Sequence, residues 1–170
     1  MIAALGRSSL KAETSGAGVA VKPLSEALVF MQTLWALTHG LESASKRMHA
    51  KLGVTGPQRL VLRIIGHHGR ISAGALAEVL HIHPSSLTGM LQRLEQGELI
   101  RRESDPLDRR RALFELTRKG LRLNDQRAGT IEAIVSRTLQ RLSKERVVNA
   151  KEVLSALAAA LATDNDPART

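Results

Sequence analysis

Apolar residues recur at helical spacing through most of the chain. Leu24, Leu28, Met31, Leu34, Trp35 and Leu41, with Thr38 in step, predict one long helix over 24–52 that Gly53 closes. A second helix starts at Thr55-Gly56-Pro57-Gln58, where Thr55 caps and Pro57 fits the first turn, and runs to His68-Gly69. Its expected buried stripe is Leu60, Val61, Ile64 and Ile65. Arg70-Ile71 reads as a lone short strand. Ser72 then caps a third helix over 73–80, which buries Leu76, Ala77 and Leu80. His81-Ile82 is a tight turn, and Pro84 opens a fourth helix that runs to about Gly97. There Leu87, Met90, Leu91 and Leu94 form one inward stripe.

Two short strands follow, over 99–117, joined by a turn holding Asp105, Pro106, Asp108 and three consecutive arginines. Thr117 caps a fifth helix, and Ala128, Ile131, Val135 and Leu142 carry its expected stripe. As one rod from Thr117 to Leu142 it would measure about 38 Å at 1.5 Å per residue. Ser143 restarts a last helix with Val147, Val148, Val153, Leu154, Leu157 and Leu161. Residues 1–22 lack periodicity and read as a disordered arm, leaving 23–165 as a single domain.

The third and fourth helices, joined by so brief a turn, have the layout of a helix-turn-helix, and the hairpin behind them has the place of a wing. The expected fold is therefore mainly α with a small β-hairpin wing: a winged helix-turn-helix domain flanked by long N- and C-terminal dimerisation helices. DNA binding is assigned to about 55–117, and dimerisation to 24–52 and 118–162. The face opposite the fourth helix's stripe carries Ser85, Ser86, Thr88, Gly89, Gln92 and Arg93. Small residues let a helix sink into a major groove, hydroxyls reach phosphates or base edges, and Gln92 suits bidentate pairing with adenine. At the wing, Asp108 orients an arginine of the run Arg109, Arg110, Arg111, whose charge suits a narrow minor groove.

Charge supports this reading and chemistry narrows it. Lysine and arginine number 25 against 16 acidic residues, a net charge of +9, which favours an anionic partner. There is no cysteine, so disulfides, thiolate metal sites and cysteine redox sensing are excluded. No two of the six histidines have the i, i+4 spacing of a helical zinc site. No nucleophile, acid/base pair or phosphate loop stands out, so no catalytic residue, metal or cofactor is expected and the protein is not read as an enzyme. No apolar run approaches a membrane span, and a cytoplasmic protein is expected. Double-stranded DNA is the leading partner. The alternative is a winged-helix scaffold whose basic face docks an acidic protein, with DNA binding non-specific or absent.

Thr55-x-x-Gln58, Leu76-Ala77-Glu78-Val79-Leu80, Leu94-Glu95, Leu99-Ile100-x-Arg102, Asp108-Arg109-Arg110 and Leu116-Thr117-x-x-Gly120 together resemble the MarR family of winged helix-turn-helix regulators. The resemblance covers 55–120 and implies a homodimer on a pseudo-palindromic operator, usually a repressor released by a small-molecule effector. By position it makes Arg110 the minor-groove arginine, Asp108 its support and Arg93 a phosphate contact. It places an effector pocket near Trp35, His39, Arg63 and His68. Three positions depart from the family pattern. His83 replaces the serine before the fourth helix, removing its capping hydroxyl. Gly89 stands where a long polar side chain is usual, and Gly97-Glu98 moves a glycine one residue early. Apart from the resemblance, one recognition helix plus wing binds weakly, and a dimer places two such helices about 34 Å apart, one turn of DNA.

Overall fold

The computed structural model describes residues 22–108 and 110–164. The arm expected over 1–22 lies outside the described residues except for Lys22, and Arg109 lies outside them too. The elements run α1 (Glu26–Leu52), α2 (Gly56–His68), β1 (Ile71–Ser72), α3 (Ala73–Leu80), α4 (Pro84–Gln96), β2 (Ile100–Ser104), β3 (Ala112–Leu116), α5 (Arg118–Asp125), α6 (Ile131–Leu139) and α7 (Lys144–Asp164). Of the described residues, those up to Trp35 form one compact unit and those from Ala36 onward another. Among the described residues no helix is long and apolar enough to cross a membrane.

The core belongs to the second unit. Val61, Leu62 and Ile65 of α2 meet Leu76 and Ala77 of α3, the α4 stripe of Leu87, Leu91 and Leu94, and Ile71, Ile100 and Phe114 from the strands. Each such buried aliphatic side chain contributes about 1.5–3 kcal/mol. The short strand at 71–72, expected from the sequence to stand alone, is paired. It pairs antiparallel with β3 (Ile71 to Phe114) to make a three-stranded sheet of order β1-β3-β2. In the wing, Arg102 lies opposite Phe114 and Arg101 opposite Glu115.

The structure corrects the α2 stripe. Gln58, Arg59, Val61, Leu62 and Ile65 are buried, whereas Leu60 is 53% exposed. The i, i+3, i+4, i+7 set begins at Gln58, which reaches inward through a capping box: Gln58 N–H donates to Thr55 Oγ1, and Thr55 N–H donates to Gln58 Oε1 at 2.9 Å.

The single fifth helix is also corrected. It is two helices, α5 and α6, broken over 126–130. α5 stops where Gln126 turns extended, and Gly129 in the loop adopts φ +79°, a left-handed conformation that glycine takes without strain. Thr130, fully buried, accepts the Ala133 N–H and so caps α6. The break is held by Arg59 of α2, only 1% exposed. Its guanidinium donates to the carbonyls of Leu123, Asn124 (3.1 Å) and Gln126 (2.6 Å), and to Glu132 Oε1 at 2.7 Å in the first turn of α6. A cation thus satisfies the open C-terminal carbonyls of α5, while a carboxylate sits at the N-terminus of α6, both favourable to the helix dipoles.

Candidate nucleic-acid interface

The start of α4 shows how this sequence caps a helix without a hydroxyl side chain. His83 caps it: its ring Nδ1 accepts the Ser85 N–H at 3.3 Å and lies 2.8 Å from Ser85 Oγ. The missing hydroxyl is replaced by an imidazole. At the other end Gly97 closes the helix and Glu98 takes the left-handed conformation, φ +57°, where glycine was expected.

Along the exposed face of α4, Ser86, Gln92 and Arg93 are exposed, and Gln92 and Arg93 make no side-chain hydrogen bond among the described residues. Thr88 donates its hydroxyl proton to the Pro84 carbonyl at 3.0 Å, leaving its oxygen as an acceptor. Gly89 sits at the middle of this face.

The wing positions its charge through the backbone. Asp105 Oδ1 accepts the Leu107 N–H at 2.9 Å, and Asp108 Oδ1 accepts the Arg110 N–H at 3.0 Å; the Asp108 carbonyl accepts the Arg111 N–H. Asp108 therefore shapes the turn that presents Arg110, by an Asx turn. Arg110 is exposed. Arg111 Nη2 donates to Ser72 Oγ at 3.3 Å, and that oxygen also accepts the Ala75 N–H that caps α3, so the wing base is tied to the helix-turn-helix.

A concavity of about 530 Å³ lies between α3, α4 and the wing. Thr88, Gln92, Arg102 and Arg111 line it, together with Glu78 and Glu95. The structure thus brings α4 and wing residues onto one surface. Arg102 joins them because it lies opposite Phe114 of β3 and so shares that face of the sheet; in the sequence it figures only within a motif. A second depression of about 270 Å³ gathers Arg102, Arg110 and Arg111.

The opposite face of the wing is neutralised. Glu115 accepts from Arg70 Nε at 2.7 Å and from Arg101, while Glu103 pairs with Arg70 at 3.0 Å and with Arg101 at 3.2 Å. The hydrogen bond from Arg70 first, and those charges and bonds from Arg101 with it, hold the Glu115 carboxyl below its ordinary value of 4.5 against the opposing effect of desolvation. A carboxyl depressed on folding adds stability above its unfolded value, and that stability is lost as pH falls through the folded value. The urea midpoint of wild type should therefore exceed that of Glu115→Gln at pH 7, and the gap should close below about pH 4.5. A gap that stays constant down to pH 3 would refute the ion-pair account.

The sequence is similar to transcriptional regulators. The MarR family model matches residues 54–112. The HTH-type transcriptional repressor MdtR of Bacillus subtilis (strain 168) is 34% identical over 133 residues, covering 78% of this chain and 85% of its own. The chain belongs to the MarR family. The organic hydroperoxide resistance transcriptional regulator of the same organism is 31% identical over 130 residues, with 76% and 85% covered. The crystal structure of a MepR-like protein complexed with pseudoligands superposes with a TM-score of 0.65 at 26% identity, covering 81% of this chain and 97% of that one.

In this MarR-family chain the residues expected around an effector are dispersed in their roles. Trp35 is 77% exposed, beside Leu28, Met31 and Gln32 of its own segment. His39 is exposed on α1. Arg63 is half-buried and donates to Asn124, to the carbonyl at 3.1 Å and to Oδ1 at 3.0 Å. His68 is exposed at the end of α2, its ring edge-on to His67. Two apolar cavities lie elsewhere. One of about 450 Å³ is lined by Leu37, Gly40, Ala44, Ile134 and Val135, and one of about 510 Å³ by Leu41, Ser45, Pro57, Leu60 and Ile131. The four residues named from the sequence line neither of them.

Proposed function

We propose that this MarR-family protein is a cytoplasmic, sequence-specific DNA-binding repressor that works as a homodimer on a pseudo-palindromic operator. The observation that carries the reading is the single concavity on which Thr88 and Gln92 of α4 converge with Arg102 and Arg111 of the wing. In this reading α4 enters the major groove with Ser85, Ser86, Thr88, Gly89 and Gln92 toward base edges, and Arg93 contacts phosphate. Arg110 enters the minor groove, with Asp108 shaping its turn, and Arg109 and Arg111 stand beside the backbone. Residues 55–117 bind DNA while 24–52 and 118–162 pair the chains.

The dimer is supported by apolar side chains that the chain leaves exposed on α1 (Leu28, Met31, Leu37), α6 (Ile134, Val135) and α7 (Val148, Leu154, Leu161). A second copy is the natural cover for helical stripes of this length. Release by a small molecule is the remaining part of the proposal, and the apolar linings beside Ile134 and Ile131 favour a largely aliphatic or aromatic effector over a highly charged one.

Gel shifts with the duplex upstream of the protein's own gene, at rising salt, test the reading. Affinity should fall steeply with salt, and Arg110→Ala should reduce the slope of log K against log salt by about one unit. Binding that is independent of salt, or an unchanged slope in Arg110→Ala, would favour an acidic protein as the partner.

A further inference from the structure

Gly89 is the sixth residue of the thirteen in α4, well clear of both caps. Glycine in a helix interior is destabilising relative to alanine, because it gives up more backbone freedom and buries less. A protein tolerates that where a side chain would collide or where φ is positive. Neither holds here. A Cβ built on Gly89 meets nothing within 4 Å, and Gly89 is not among the positive-φ residues. Gly120 and Gly56 are different, since a Cβ at each would strike a neighbour inside the chain. The fold therefore gives no reason for glycine at position 89, and alanine would suit α4 better.

The surroundings show where the reason lies. Ser85 and Ser86 lie one turn before Gly89 and Gln92 and Arg93 one turn after, and all four are exposed. Gly89 leaves a notch between short hydroxyl side chains and a longer amide and guanidinium. A helix lying in a major groove with such a notch brings its backbone against base edges that any Cβ would hold away.

We propose that Gly89 is a specificity-determining gap in α4: the operator fills the space its missing side chain leaves, so that sequence is selected there by steric fit to the backbone. This rests on the assignment of α4 to the major groove. It differs from that assignment in predicting that stability and recognition move in opposite directions on substitution. Gly89→Ala should raise Tm by roughly 2–4 °C. The same substitution should weaken binding to the preferred duplex by about tenfold or more, while the ratio of preferred to random-sequence binding falls with it.

Wild type and Gly89→Ala, full length, are each taken through selection from a random-sequence duplex pool at one fixed salt concentration. Winning duplexes are cross-tested for affinity, and Tm is measured for both proteins. The proposal stands if the variant is more stable, binds the wild-type winner at least tenfold more weakly, and selects a different base at one or two positions in each half-site. It is overturned if the variant binds the wild-type winner equally and selects the same sequence, or if Gly89→Ala lowers Tm. Failure of wild type to enrich any sequence overturns the groove assignment and this inference together. Enrichment by wild type with an indifferent variant removes this inference alone.

Discussion

Gly120→Ala should lower Tm by roughly 6–12 °C, a loss of about 3 kcal/mol at 2–4 °C per kcal/mol for a chain of this size. Gly120 lies in the first turn of α5 and is buried. A Cβ added there would come within 1.9 Å of the Leu99 carbonyl oxygen and 3.0 Å of its carbon. Backbone cannot yield as the end of a flexible side chain does. That oxygen already accepts the Thr117 N–H at 3.1 Å, and Thr117 Oγ1 both caps α5 through the Gly120 N–H at 3.0 Å and donates to the Glu98 carbonyl at 2.6 Å. A methyl group at 120 must therefore push the start of α5 away from the junction of α4 and β2 and break this set. Thermal melting followed by circular dichroism measures it. A Tm within 2 °C of wild type would show that the close approach is not required.

Arg59→Met should cost about 3–5 kcal/mol in urea unfolding, with Arg59→Lys falling between it and wild type. Methionine preserves the volume but leaves the carbonyls of Leu123, Asn124 and Gln126 without their donor at a buried site, each costing on the order of 1–3 kcal/mol. Lysine keeps the charge, yet one ammonium on a flexible stem cannot fork to three carbonyls and a carboxylate. Glu132→Gln removes the charge while keeping an acceptor, and its effect should be smaller because Glu132 is 32% exposed. A loss below 1 kcal/mol in Arg59→Met would mean that the α5–α6 break holds without its cation.

The winged half of the chain was readable because its signals are local. Leu87, Leu91 and Leu94 repeat with the helical period, Thr55 and Gln58 form a capping box within three residues, and the hairpin announces itself by Pro106 and two aspartates. Thr117 and Gly120 appeared in the sequence as part of a family motif. The structure supplies the physics, a cap and a close approach to Leu99. The break between α5 and α6 was obscured because Ala128, Ile131 and Val135 keep apolar spacing straight across it. Gly129 followed by Thr130 and Glu132 was the available sign of a stop and a new start. Arg59 could not be read at all, since its carbonyl acceptors lie 64 to 67 residues away and nothing local distinguishes it from a solvated arginine. Asp108 is expected from the sequence to orient a wing arginine, and its carboxylate accepts the main-chain N–H of Arg110.

The ion-pair ladder of Arg70, Glu115, Arg101 and Glu103 also governs how the protein meets a charged polymer. Those two arginines count toward the +9 of the sequence, yet their fields close on carboxylates across the outer face of the sheet. Among the described residues Arg102 on the inner face and Arg110 at the tip form no ion pair. The wing is thus an electrostatic vane. A polyanion approaching from behind meets arginines already paired with carboxylates, whereas one approaching the tip meets Arg110 unpaired among the described residues. Diffusional encounters are sorted by orientation before any base is touched, so the gain in association rate comes from the direction of the charge more than from its total.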